Sequence, residues 1–227
     1  MRSGLVSAIC AAKLGEEPEV WSQLEVRDLS VSRGGRTILS AINLSLSAGN
    51  LLYVNGANGS GKTTLIGALA GLIEPDAGQI EWCGRSATGS PLFRSQMGYL
   101  AHNNGLHGDL TVAENLAYAA RLGGNPLTGF LDQAINQALT SVGMKNIGDR
   151  PLRHLSQGQQ RRVALARLLL KRARLWLLDE PFNSLDAEST DRFRDLLKAH
   201  LAQGGLVVAS THLPIAVDGV NTATMCL

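Results

Sequence analysis

The chain has 227 residues, 44% of them hydrophobic, enough to enclose a real interior in one large domain or in a core with a subdomain. Its 21 basic and 19 acidic residues leave a net charge of +2, which excludes a strong field for nucleic acid or an anionic membrane. Cys10, Cys83 and Cys226 are far apart and lack metal-ligand spacing, so they read as reduced thiols suited to the cytoplasm; no apolar run nears the ~20 residues of a membrane span.

Residues 1–23 read as a leader set apart from the domain, which is expected over 24–227. Residues 4–12 are too short and too weakly hydrophobic for a signal-peptide core, and Glu16, Glu17 and Glu19 follow at once. A poorly ordered leader, or a start placed too early, is the expectation. Residues 24–31 alternate loosely as a first strand, Arg33-Gly34-Gly35-Arg36 makes a turn, and 38–46 gives a second strand. Pro75-Asp76-Ala77-Gly78 is a further turn, in which proline fixes one dihedral and glycine accepts the next, and 79–83 returns as a strand. These form an antiparallel subsheet laid beside the rest of the core.

Between them lies the most informative stretch. Leu51-Leu52-Tyr53-Val54 is a short apolar run, read as a buried strand, and residues 64–70 open a helix. Gly56 and Gly61 bracket four residues, and Lys62 and Thr63 follow, the G-x-x-x-x-G-K-[ST] spacing of a phosphate-binding loop. Glycines at 56, 59 and 61 let the backbone of Gly56, Ala57, Asn58, Gly59, Ser60 and Gly61 fold so that N–H groups point at a polyphosphate. The helix beginning at Lys62, Thr63 and Thr64 adds its positive end, Lys62 a mobile charge, and the Thr63 hydroxyl a ligand for Mg²⁺. A mere glycine-rich turn with a solvated lysine would leave the strand before and the helix after unexplained. The loop predicts a nucleotide, with Mg²⁺, as what the chain binds.

From about residue 91 to 153 the pattern changes. Residues 98–101 are a last short strand, 102–109 a polar loop, and Thr111-Val112-Ala113-Glu114 a capping box for a helix to about 122. A second helix is expected over 128–142, stopping at Gly143. These interrupt the α/β alternation, so a helical subdomain inserted at roughly 91–170 is predicted. Alternation resumes with a helix over 156–171, a buried strand at 175–178, a helix over 187–203 and a strand at 206–210. Asp179 and Glu180 close the buried strand: Asp179 to hold Mg²⁺, through water or the Thr63 hydroxyl, and Glu180 to polarise an attacking water. Alone, such a pair reads as a helix cap; with the phosphate loop upstream it reads as catalytic.

Leu155-Ser156-Gln157-Gly158-Gln159 resembles the signature of the ATP-binding cassette (ABC) ATPases, and Ser184-Leu185-Asp186 and His212 follow in the family's order. The resemblance spans 24–227 and implies an α/β phosphate-loop ATPase core with an antiparallel β-subdomain and an inserted helical subdomain. It implies that Ser184-Leu185-Asp186 is the family's D-loop and His212 its catalytic switch histidine. It also implies an ATP-sandwich dimer: Ser156, Gly158, Gln159 and Asp186 of one copy reach the nucleotide on the phosphate loop of the other. Two positions depart from the family. Where most cassettes stack an aromatic residue on adenine, this chain has Ser32-Arg33; the Arg33 plane either stacks on the base or is simply solvated. Where most carry a glutamine, it has His102, which can still hydrogen-bond a metal-bound water.

Within the cassettes, residues 159–168, 175–182, Gly204-Gly205, Thr211-His212 and His102 are similar to the haem-exporter ATPase subunits of bacterial cytochrome c maturation. That similarity implies a permease partner and haem-handling proteins in the membrane, a place on the cytoplasmic face of the inner membrane, and no nucleic-acid partner. Cys83 and His107 have no paired spacing, so no haem ligand is read in this chain. Besides an ABC ATPase for another transported substrate, two alternatives stand beside it. One is a soluble ABC ATPase acting on DNA or ribosomes, which usually carries two fused cassettes and a basic surface. The other, a different phosphate-loop class such as a kinase, leaves the signature unexplained.

Overall fold

The computed structural model describes residues 23–123, 130–212, 217 and 219–227. The predicted leader lies outside them except for its last residue, Gln23, which opens the first strand. The chain divides into two compact units. One holds the described residues up to His102 together with Arg174–Pro181 and His200–Leu227; the other holds Asn103–Ala173 and Phe182–Ala199.

The first unit carries two sheets. In the four-stranded sheet the order is β2 (Arg36–Ser47), β1 (Gln23–Arg33), β4 (Ala77–Trp82), β5 (Arg85–Ser86), all pairs antiparallel. The loose alternation of β1 has a physical cause. Leu24 and Val26 are buried, then Leu29 and Val31, with register shifts between the two sets. Asp28 makes that shift in the left-handed region (φ 50°), where its backbone N–H and carboxylate are both held by the Asn43 amide.

The five-stranded sheet is parallel throughout, in the order β6 (Met97–Leu100), β7 (Leu175–Asp179), β8 (Leu206–Ser210), β3 (Asn50–Asn55), β9 (Asn221–Cys226). Every residue of β7 and β8 is buried, as unbroken apolar strands in a covered parallel sheet must be. Helix α1 (Lys62–Leu69) follows β3 and packs on β7 and β8 with Leu65, Ile66 and Leu69 in a continuous core that also takes in Leu24, Trp82, Phe93 and Leu177. α2 (Pro91–Gln96) precedes β6.

One sequence expectation changes here, and one element is new. Residues 91–102, expected at the head of the helical insertion, belong instead to the sheet-bearing unit. Phe93 and Met97 are core side chains, and Leu100 pairs with Leu178. Strand β9 was not foreseen: NTATMC is almost wholly exposed along the sheet edge, so it lacks the buried alternation that marks a strand.

The second unit is helical. α3 (Val112–Leu122), α4 (Leu131–Ser141) and α5 (Gln157–Leu170) pack against one another through Leu116, Ala120, Ile135, Leu139 and Val163, among others. Residues of α6 (Ala187–Ala202) through Ala199 belong to this unit. The predicted opening of α4 at residues 128–129 lies outside the described residues. The Thr111–Glu114 capping box forms as the sequence spacing predicts. Among the described residues no helix is long and apolar enough to cross a membrane.

Candidate nucleotide site

In the sheet-bearing unit, β3 runs straight into the glycine loop. Asn55 Oδ1 accepts the Gly56 N–H at 2.8 Å, and the chain turns through Gly56 (φ 154°), Gly59 (φ 83°) and Gly61 (φ 108°). A Cβ on Gly56 would lie 2.5 Å from Ser60 Oγ and 2.8 Å from the Leu227 carbonyl oxygen, and one on Gly61 2.9 Å from Leu39 Cδ2. Glycine is therefore required at both ends, for conformation and for room. Gly61 is the N-cap of α1 and no side chain caps that helix, which leaves its first N–H groups to an anionic ligand.

Lys62 is buried, and its Nζ donates across the loop to the carbonyls of Gly56 (2.8 Å) and Ala57 (3.0 Å). Thr63 Oγ1 donates to Asp179 Oδ1 at 3.2 Å, joining the head of α1 to the end of β7. Asp179 Oδ1 also accepts from the Ser210 hydroxyl at 2.7 Å, and that hydroxyl accepts the Glu180 N–H at 2.9 Å. Glu180 holds a left-handed backbone (φ 47°), and its Oε1 lies 3.0 Å from His212 Nε2, with the imidazole partly open to solvent and the carboxylate nearly enclosed. Burial first, and then the Asp179 charge, push the Tyr99 phenol upward from its ordinary value.

Thr63 and Asp179 offer hard oxygen donors of the kind Mg²⁺ takes. Among the described residues no group of three or more His, Cys, Asp or Glu could hold a metal. The residues therefore fit a Mg²⁺ ion that arrives sharing phosphate oxygens and water, not one in an all-protein cage.

His102 and Arg33 are both exposed. His102 lies two residues beyond Leu100, which pairs with Leu178, so the register carries it toward the strand end that bears Asp179. Arg33 pairs with Arg36 at the tip of the β1–β2 hairpin, and Ile38, a little further along β2, packs against Gly61. The hairpin tip thus lies on the glycine-loop side of its sheet.

The signature residues lie in the helical unit. Ser156 caps α5: its Oγ accepts the Gln159 N–H at 3.2 Å, and Gln159 Oε1 accepts the Ser156 N–H at 2.9 Å. Gly158 has a packing role that its place in the motif did not disclose, since a Cβ there would sit 2.6 Å from the Ser184 carbonyl oxygen. Asp186 accepts the Ser189 N–H at 2.8 Å. Hydrogen bonds from Ser189, and the charge of Arg162, hold the Asp186 carboxyl below its ordinary value.

Sequence reasoning missed four polar residues in or beside these loops. Ser210 was read only as the end of a strand. Asn115, buried in α3, accepts the His107 N–H and donates to the carbonyls of His107 and Thr111; the signal was an asparagine on a buried helix face. Arg161, buried in α5, donates to Asn104 Oδ1 at 3.0 Å, and Arg167 of the same helix to the Gly105 carbonyl at 2.5 Å, so that with Asn115 of α3 the loop after His102 is fastened to two helices.

A parallel sheet bearing a glycine loop at the end of one strand and an acidic pair at the end of another, one strand removed, is the architecture of a phosphate-loop ATPase. The family model described as "ABC transporter" matches residues 39–183. Among curated proteins, the chain is 45% identical over 197 residues to the "Cytochrome c biogenesis ATP-binding export protein CcmA 2" of Cupriavidus metallidurans, covering 86% of this chain and 92% of that one. It is 46% identical over 190 residues to the corresponding CcmA protein of Cupriavidus pinatubonensis, with 83% of each covered. A solved ATP-binding subunit of an ABC transporter superposes with a TM-score of 0.77 at 27% identity, covering 85% of this chain and 80% of that one. The chain belongs to the ABC transporter ATP-binding family and, within it, to the CcmA group of cytochrome c biogenesis export proteins.

Proposed function

We propose that this chain is the ATP-hydrolysing subunit of a membrane ABC transporter that handles haem for cytochrome c maturation. The observation that carries the proposal is the level of identity to CcmA proteins over most of both chains. In this reading residues 56–64 cradle the triphosphate, Lys62 neutralises its outer oxygens, and Thr63 with Asp179 holds the accompanying Mg²⁺, which when bound offsets phosphate charge. Glu180, steadied by His212, orients the attacking water and draws its proton. Arg33 lies against the adenine, and His102 reaches the metal's water shell. Two copies close over ATP, each supplying Ser156, Gly158, Gln159 and Asp186 to the other's nucleotide, and part after hydrolysis. A CcmB-like permease receives that motion at the cytoplasmic face of the inner membrane, where the chain is peripheral. The domain reading that accompanies it is a cassette over 24–227 with a helical insertion.

The site is tested with Glu180→Gln: the variant binds ATP, hydrolyses it poorly and accumulates as a dimer. A monomer turning over at the wild-type rate would sink the assignment. The transporter role is tested by copurification from membranes, which should retrieve a small multi-helix permease; recovery of ribosomes or DNA instead would support a soluble cassette.

A further inference from the structure

Ser210 belongs to none of the motifs, yet it stands where they meet. It is fully buried on β8, and its strand neighbours are Asp179 of β7 on one side and Val54 of β3, just before the glycine loop, on the other. From that place one oxygen makes two bonds: the hydroxyl donates to Asp179 Oδ1 at 2.7 Å and accepts the Glu180 N–H at 2.9 Å. We infer that Ser210 is a positioning residue that sets both members of the acidic pair at once, the metal-side carboxylate through its O–H and the water-side carboxylate through its lone pair.

Each bond answers a specific need. Asp179 Oδ1 is shared between the Ser210 and Thr63 hydroxyls, 2.7 and 3.2 Å away, so the carboxylate is fixed between β8 and the head of α1. A hydrogen bond to an ionised acceptor is short and directional, which suits it to fix that rotation. Glu180 sits at φ 47°, a backbone conformation that a non-glycine residue keeps only when its surroundings impose it. The bond to Ser210 fastens its N–H in that conformation, and the side chain is thereby delivered to within 3.0 Å of His212. A serine buried for packing alone would not need its hydroxyl; one that positions the pair would.

The inference rests on the reading of this site as one for Mg²⁺ and ATP, so the experiment separates the two. The full chain is purified as wild type, Ser210→Ala, Ser210→Thr and Ser210→Val, with Lys62→Ala alongside. Binding of a fluorescent ATP analogue is titrated with and without Mg²⁺, and kcat is measured. Thr and Val have nearly the same shape and differ in the hydroxyl, so they isolate it. Ala and Val should lower kcat and raise the Mg²⁺ concentration for half-maximal enhancement of binding, each by roughly ten- to a hundredfold, the size of one hydrogen bond to a charged group. Metal-free binding should stay within about threefold, and Thr should stay close to wild type on every measure, since it keeps that hydrogen bond. If Val matches Thr in both kcat and Mg²⁺ dependence while Lys62→Ala abolishes binding, the positioning role is overturned and the site reading stands. If Lys62→Ala still binds tightly, both fall. Should Thr and Val fail to fold, Ala decides, and a wild-type Mg²⁺ dependence in Ala overturns the role.

Discussion

Replacing Gly158 with alanine sets two effects of known size against each other. Gly158 is the second residue of α5, and its backbone is not in the left-handed region. On helix propensity alone, alanine there would stabilise by up to about 1 kcal/mol. The new Cβ, however, would lie 2.6 Å from the Ser184 carbonyl oxygen, about 0.7 Å inside the usual carbon–oxygen contact. Backbone has to move to relieve it, and there is little slack. Ser184 is itself at φ 65°, the Leu185 N–H is bonded to the Phe182 carbonyl, and Asp186 is engaged by Ser189. Overpacking of this kind costs about 1–3 kcal/mol, so the net expectation is a loss of about 1–2 kcal/mol. Urea denaturation followed by far-UV circular dichroism measures it, with Gln157→Ala, at an exposed neighbouring position, as the control expected to change little. A Gly158→Ala protein as stable as wild type, or more so, would refute the reasoning and make the glycine purely a matter of ligand access.

Stability should also depend on pH through His200. Its ring is stacked on Trp176, centroids 3.8 Å apart and planes 6° from parallel, and burial pushes its pKa down to about 4. The unfolded chain takes up a proton near pH 6.5 that the native state refuses. The contribution is therefore complete above about 6.5 and is lost as pH falls towards 4, on the order of 3 kcal/mol in all. His200→Phe keeps the stack without the titration, and its urea midpoint should be flatter across that window; an identical pH profile would reject the account. Thr111→Ala removes the capping box of α3 and should cost about 1 kcal/mol, read as a lower denaturation midpoint; an unchanged midpoint would show the cap to be idle. Lys62→Ala should abolish ATP binding in a filter or fluorescence assay, and retained tight binding would move the site elsewhere.

Much of the fold was legible because its buried strands are short, apolar and bounded by sharp punctuation. Leu175 to Leu178 before Asp179-Glu180, and residues 206–210 after Gly204-Gly205, could hardly be anything else in a chain with a phosphate loop. The capping box at Thr111 was equally plain, since its chemistry is local. What escaped was set by contacts between segments far apart in the chain. β9 is held by pairing with β3, and its exposed side chains carry no trace of that. The place of residues 91–102 was decided by Phe93 and Met97 joining a core assembled largely from other elements. Ser210 looked like any strand-end serine because its two partners lie 30 and 31 residues away in sequence.

The clasp on the loop after His102 has a mechanical consequence. α5 begins at the Ser156 cap and, along its length, grips Asn104 through Arg161 and Gly105 through Arg167. It acts as a connecting rod: a tug on residues 104–105 is borne by the same rigid cylinder whose tip presents the signature serine, so displacement at one end need not be relayed side chain by side chain to reach the other.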